Sequence, residues 1–206
     1  MKLYYAPGAC SLASHIVARE AGIDIALEQV DTRTKRTTAD RDFLAINPKG
    51  YVPTLEIADG EVLTEGAAIL QFLADSKPTS GLAPIPGTLA RSRLHEALSY
   101  ISSELHKSYS PLFNPATPEE VREERKAYLR KRYALVDQTL AKLPFMLGEQ
   151  FSVADAYLFT VTQWAGFVAL DLSDFPALEA FQARVRSRPA VQAALQAEGL
   201  MPAKAA

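Results

Sequence analysis

Apolar positions change their spacing along this chain. Over residues 1–78 they fall in short runs and alternations, and beyond residue 88 they recur every three to four positions. Residues 2–6 (KLYYA) form a run of buried-strand type. Residues 11–22 (SLASHIVAREAG) place Leu12, Ile16 and Val17 on one side of a helix that stops at Gly22, a residue type suited to a left-handed closing turn. Residues 25–30 (IALEQV) read as a second strand. Residues 38–47 (TADRDFLAIN) read as a short helix halted before Pro48. Residues 54–65 read as two strands around Asp59-Gly60, a hairpin signal, and residues 65–76 as a helix with Ile69, Phe72 and Leu73 at core spacing. The order β-α-β-α-β-β-α predicts a parallel first strand pair, because a helix crosses between them, and an antiparallel last pair.

Residues 77–87 (KPTSGLAPIPG) are rich in Pro, Gly and Ser and read as a linker. Everything after them reads helical. Leu94, Leu98, Ile101 and Leu105 keep one helix face. Leu129, Tyr133, Val136, Leu140 and Leu143 keep another, after the start signal Thr117-Pro118-Glu119-Glu120. Residues 152–170 are apolar nearly all round, which predicts a central buried helix, and Ser152 with Asp155 has the form of a capping box. Two shorter helices divided at Pro189 close the chain. The expected fold is an α/β domain over residues 1–78, a linker over 79–87 and an all-α domain over 88–206.

Composition narrows the class. The 48% apolar and 22% charged fractions are those of a soluble globular protein, and a formal net charge of −2 gives no general attraction to nucleic acid or an anionic membrane. The basic stretch at residues 122–133 has its acids first and its bases last, as the helix dipole favours, and reads as a solvated face. No stretch approaches the ~20 apolar residues of a membrane span. Pro7, Gly8, Arg19 and Glu20 interrupt any leader-like apolar core, so a cytoplasmic protein is expected. One cysteine cannot form an internal disulfide, and one cysteine with three scattered histidines predicts no metal site.

Three places carry candidate chemistry. The single thiol, Cys10, and Ser11 stand where the first strand ends and a helix begins, a position whose main-chain N–H groups favour a thiolate. In residues 47–56 (NPKGYVPTLE), Pro53 opens a strand, which suits a special turn, and a cis Val52-Pro53 bond would present the main chain of Val52 to an extended peptide. In residues 63–69 (LTEGAAI), Glu65 precedes a helix start. Together they offer an acid for an ammonium and N–H groups for a carboxylate.

The order and spacing of these pieces resemble the glutathione transferase family: a thioredoxin-like half, then a helical half with GEQFSVADAYLF at 148–159. APGACS, NPKGYVP, TEGAAI and SELHK together are most similar to its bacterial beta class. The resemblance implies that Glu65 and Gly66 hold the γ-glutamyl end of glutathione and that Val52, ahead of a cis Pro53, pairs with the cysteinyl part. It implies that Lys35 holds the glycine carboxylate, that Tyr51 and Ser103 belong to the binding set, and that Cys10, Ser11 and His106 lie close to the sulfur. Glu104 is implied to reach the partner's site across a homodimer contact. The implied activity is conjugation of glutathione, a co-substrate and not a cofactor, to small hydrophobic electrophiles in detoxification. Cys10 adds thiol–disulfide exchange. The alternatives are a thioltransferase or reductive dehalogenase using Cys10 covalently, or a non-enzymatic ligand-binding member. Gly66 departs from the family's usual serine and so lacks a hydroxyl there. Tyr109, Phe113 and Trp164 are aromatic candidates for an apolar pocket, with plain core packing as the other reading.

Overall fold

The computed structural model describes residues 1–201 and divides into two compact units. The first joins Met1–Leu82 to the chain from Ser187 onward, and the second is Ala83–Arg186. The sequence assigns all of 88–206 to a helical domain. The structure instead returns the closing helix to the first unit, because its apolar face fits the first helix.

In the first unit, β1 (Lys2–Tyr5), β2 (Ala26–Asp31), β3 (Arg36–Thr37), β4 (Thr54–Glu56) and β5 (Val62–Thr64) make one sheet in the order β3-β2-β1-β4-β5. β1 and β2 are parallel, with Lys2 opposite Ala26, and β4 and β5 are an antiparallel hairpin with Leu55 opposite Leu63. Gly60 supplies the left-handed residue of its turn at φ 77°. α2 (Gly66–Ser76) and α9 (Pro189–Ala197) pack against α1 (Ser11–Glu20), burying Leu12, Ile16, Ile69, Leu73, Val191 and Leu195. Arg188 forks onto Glu20 at 2.6 and 2.8 Å, which fixes where the last helix begins.

The short helix expected over 38–47 is absent; only Phe43–Ala45 makes a single 3₁₀ turn. Long-range bonds outweigh local propensity here. Arg41 Nη2 reaches Glu28 at 2.7 Å, and Thr37 N donates to the Arg41 carbonyl at 3.0 Å. Asp40 turns at φ 57°, and Asp42 caps the 3₁₀ turn. The segment thereby folds back on β3 and carries Lys35 with it, whose carbonyl accepts from Phe43 N at 2.9 Å.

In the second unit, α3 (Leu89–Tyr100) runs into a π-helical stretch (Ile101–His106) and then α4 (Lys107–Phe113). Leu94, Leu98, Ile101 and Leu105 are all buried, as their spacing predicts, but the widened turn is not visible in it. Such insertions are frequent at functional sites. α5 (Glu119–Leu140) buries Leu129, Tyr133, Val136 and Leu140, while Leu143 lies past its end. α6 (Val153–Thr162) is buried at every position; the helix expected over 152–170 breaks at Gln163 and resumes as α7 (Trp164–Phe167), followed by α8 (Pro176–Arg186). The capping box at Ser152 and Asp155 is formed.

Candidate functional site

Cys10 caps α1 at the end of the loop that leaves β1, and its Sγ donates to the Val52 carbonyl at 3.2 Å. A thiol has that proton to give and a thiolate does not. The first-turn donors expected around Cys10 are partly committed: Leu12 N goes to Ala9 O at 3.0 Å and Ala13 N to Cys10 O at 3.2 Å. What remains general is the helix dipole. Ser11 is fully buried, and its hydroxyl accepts from Ala6 N at 3.2 Å and donates to Ala6 O at 3.3 Å. It pins the loop that carries the thiol. A second clamp was not legible in the sequence. Glu198, just past α9, accepts from Gly8 N at 3.0 Å and holds buried His15 at 2.9 Å.

The second and third stretches meet beside this loop. The Val52-Pro53 bond is cis. Gly66 stands over Pro53, so that a Cβ built on it would sit 3.8 Å from Pro53 Cγ, an ordinary contact. Glu65 has a left-handed φ of 70°, a costly conformation for a residue with a side chain and one that clusters at functional sites. Its Oε1 accepts from Lys49 Nζ at 2.7 Å and Tyr51 Oη at 3.0 Å. These bonds raise the pKa of both donors, the Glu65 carboxylate being the first cause in each case. Lys35, also left-handed at φ 58°, donates from Nζ to Gly50 O at 2.6 Å. Hydrogen bonds thus join Cys10 to Val52 and Glu65 to Tyr51, and Pro53 faces Gly66 across the turn. Lys35 joins them through Gly50, next to Tyr51. Lys49 belongs to the same cluster, and sequence reasoning missed it. It lies inside the quoted NPKGYVP stretch, but only the turn at Glu65 brings it into play.

The remaining candidates lie in the helical unit. Ser103 Oγ donates to Ser99 O at 2.9 Å. Glu104 is held by Tyr128 and by Arg132 Nε at 2.9 Å. His106 Nδ1 lies 2.6 Å from Tyr157 Oη, and its ring meets Trp164 edge-on at 4.9 Å. Burial, helped by the charge of Lys107, pushes the His106 pKa down to about 4. The imidazole is therefore neutral near pH 7 and offers hydrogen bonds, not a positive charge. The His106 Cε1 proton resonance is accordingly expected to keep its neutral position from about pH 8 to about pH 5; a midpoint between 6 and 7 would contradict the burial argument. Trp164 also packs edge-on to Tyr109 and Phe113 at 5.6 and 5.7 Å; Tyr109 is buried, whereas Phe113 is about half exposed. A separate groove of about 410 Å³ in the helical unit is lined by Ala97, Tyr100, Leu135, Thr139 and Met146 and includes no cysteine or histidine. Among the described residues no group of His, Cys, Asp and Glu could hold a metal ion, and no helix is long and apolar enough to cross a membrane.

A thioredoxin-like sheet bearing a helix-capping cysteine, a cis-proline turn and an acid at the third helix start, followed by a helical unit, defines a class of thiol-handling transferase. The model of the glutathione S-transferase N-terminal domain matches residues 8–76, and that of the C-terminal domain matches residues 100–189. Glutathione S-transferase GstA of Escherichia coli O157:H7 is 48% identical over 200 residues, covering 97% of this chain and 100% of that protein. A sphingomonad glutathione S-transferase solved in complex with glutathione superposes with a TM-score of 0.94 at 46% identity, covering 98% of this chain and 100% of that one. The bacterial beta class enzyme of Sphingomonas chungbukensis gives a TM-score of 0.94 at 44% identity, with the same coverage. The chain belongs to the glutathione S-transferase family, and its solved neighbours include members of the bacterial beta class.

Proposed function

We propose that this transferase binds glutathione in the first unit and joins its sulfur to small hydrophobic electrophiles. The observation that carries the reading is Glu65. A left-handed backbone fixes its carboxylate at the head of α2, beside the Cys10–Val52 contact. An extended γ-Glu-Cys-Gly peptide finds there what each part needs. Glu65 takes the ammonium, and the first N–H groups of α2 take the α-carboxylate. The main chain of Val52 pairs with the cysteinyl residue, and Lys35 takes the glycine carboxylate. Ser11 positions the loop. The family resemblance adds His106 and Ser103 to the binding set, and within the helical unit Phe113 and Trp164 offer an apolar platform for the electrophile. Glu104 serves a second protomer's site in a homodimer. One lone thiol suits a reducing, cytoplasmic setting for such detoxification chemistry.

The reaction needs the sulfur of glutathione as an anion. A thiol with its pKa near 8.5 is only a few per cent ionised at neutral pH, so a two-unit drop asks for about 2.7 kcal/mol of preferential stabilisation. The thiolate attacks carbon, an S–C bond forms, and a halide leaves with the bonding pair. Cys10 supports a second activity in the same site. Its sulfur attacks a disulfide substrate, the S–S bond breaks and one thiolate departs; glutathione thiolate then attacks the mixed disulfide and restores Cys10. Retention on immobilised glutathione, followed by turnover of a chloronitrobenzene, tests the reading. Folded protein that does neither contradicts it.

Gly66 offers a finer check. Its φ is not left-handed, and the space over Pro53 admits a side chain. Gly66→Ser is expected to tighten glutathione binding by about two- to twelvefold, the worth of one added hydrogen bond of ~0.5–1.5 kcal/mol. Unchanged or weaker affinity by calorimetry would show that the carboxylate is not held at this end of α2.

A further inference from the structure

The ion pair at the head of α2 has the composition of an amino-acid zwitterion with the charges exchanged. Lys49 Nζ stands 2.7 Å from Glu65 Oε1 and 2.9 Å from Thr64 Oγ1. Tyr51 Oη donates to the same Glu65 oxygen at 3.0 Å, and the backbone of Glu65 is fixed by its φ of 70°. An α-amino acid carries its ammonium and its carboxylate on one carbon. Laid against an ion pair already at contact distance, those two charges trade partners, ammonium to the acid and carboxylate to the lysine. Four charges then alternate in sign, and each keeps an opposite neighbour. Gly66 and Ala67 bring main-chain N–H groups and no side-chain donor to this end of α2, so a nearby cation adds what the helix start alone lacks.

We infer that Lys49 is a specificity-determining residue for the γ-glutamyl group, taking the α-carboxylate of the zwitterion whose ammonium goes to Glu65. The inference rests on the glutathione reading above. It also has a rival of opposite sign. If Lys49 merely occupies Glu65 until ligand arrives, it competes with the ligand's ammonium, and removing it tightens binding. Lys49 is about half exposed, so substitutions there leave the core untouched.

The test is calorimetric titration of the intact protein, Lys49→Met and Lys49→Arg. The ligands are glutathione and γ-aminobutyryl-cysteinylglycine, the same tripeptide without the α-carboxylate. Lys49→Met is expected to weaken glutathione about fivefold, the upper range for a partly exposed ion pair, and to leave the decarboxylated analogue unchanged. Lys49→Arg keeps the preference, and added salt narrows it. An equal loss for both ligands, no loss for glutathione, or tighter binding of glutathione overturns the assignment. Intact protein that binds neither ligand overturns the glutathione reading, and the role of Lys49 with it.

Discussion

Cys10→Ala is expected to keep glutathione conjugation and to lose thiol–disulfide exchange completely. Conjugation draws its nucleophile from the co-substrate. The sulfur of glutathione forms the new bond to carbon, chloride carries away the electron pair, and the thiol proton passes to solvent. Cys10 contributes only contacts to that step, among them its 3.2 Å bond to the Val52 carbonyl. Losing one such bond costs about 0.5–1.5 kcal/mol, so kcat/KM with a chloronitrobenzene should stay within about tenfold of the parent. Exchange has no such reserve, because its covalent intermediate is the mixed disulfide on Cys10 itself. Turnover of a disulfide substrate should fall to the uncatalysed rate, and mass spectrometry should find a mixed-disulfide adduct on the parent and none on the variant. If both activities fall together under saturating glutathione, the division of labour is wrong.

The fold was legible where local pattern and tertiary demand agree. Leu12, Ile16, Ile69 and Leu73 sit at the spacing their burial requires, and the crossover after β1 dictated the parallel pair seen between Lys2 and Ala26. Legibility failed where distant side chains decide. Residues 38–47 carry a helix-like pattern, but Arg41 is drawn to Glu28 and the backbone of Thr37. The Glu28 partner lies 13 residues from Arg41, outside the stretch whose pattern reads as a helix. The closing helix was misassigned for the same reason, since its partners are α1, Glu20 and Gly8. In the site, Cys10, Val52, Pro53 and Glu65 were readable because residue type and position relative to a helix start or turn already state a chemistry. Lys49 was not, because a lysine in a turn states none until Glu65 is folded back onto it. Within the helical unit His106 is buried and neutral, and burial is invisible in the sequence around one histidine.

The largest stability effect is expected from Asp155→Ala. Asp155 lies at the head of a helix that is buried throughout, and its carboxylate accepts from Met146 N, Ser152 N and Ser152 Oγ at 2.8, 2.8 and 2.7 Å. Alanine leaves two buried donors and one part-buried donor without that acceptor and removes the capping box. A cost of about 3 kcal/mol or more is expected at neutral pH, read as a lower denaturation midpoint. The pH dependence has a definite sign. Burial is the first cause acting on this carboxyl and, against the opposing hydrogen bonds, pushes its pKa up to about 6 from 3.8. A raised folded-state pKa means that the stability from protonation is fully present below 3.8 and is lost as pH rises through about 6. The gap between parent and Asp155→Ala should therefore widen as pH falls from 7 toward 4. His106 works the other way. Its depressed pKa means that stability present above about 6.5 is lost as pH falls toward about 4. The two trends offset in the whole protein, so the parent–variant difference, and not the parent curve alone, isolates Asp155. A gap that narrows on acidification would contradict the account.

The central claim is that a carboxylate fixed at the head of α2 and a turn facing Cys10 form a cradle for glutathione. Amide chemical shifts during a glutathione titration test it most directly. The account predicts saturable shifts at Cys10, Val52, Gly66 and Ala67 with a common dissociation constant. Shifts confined to the groove lined by Tyr100 and Leu135, or none at all in folded protein, would contradict it.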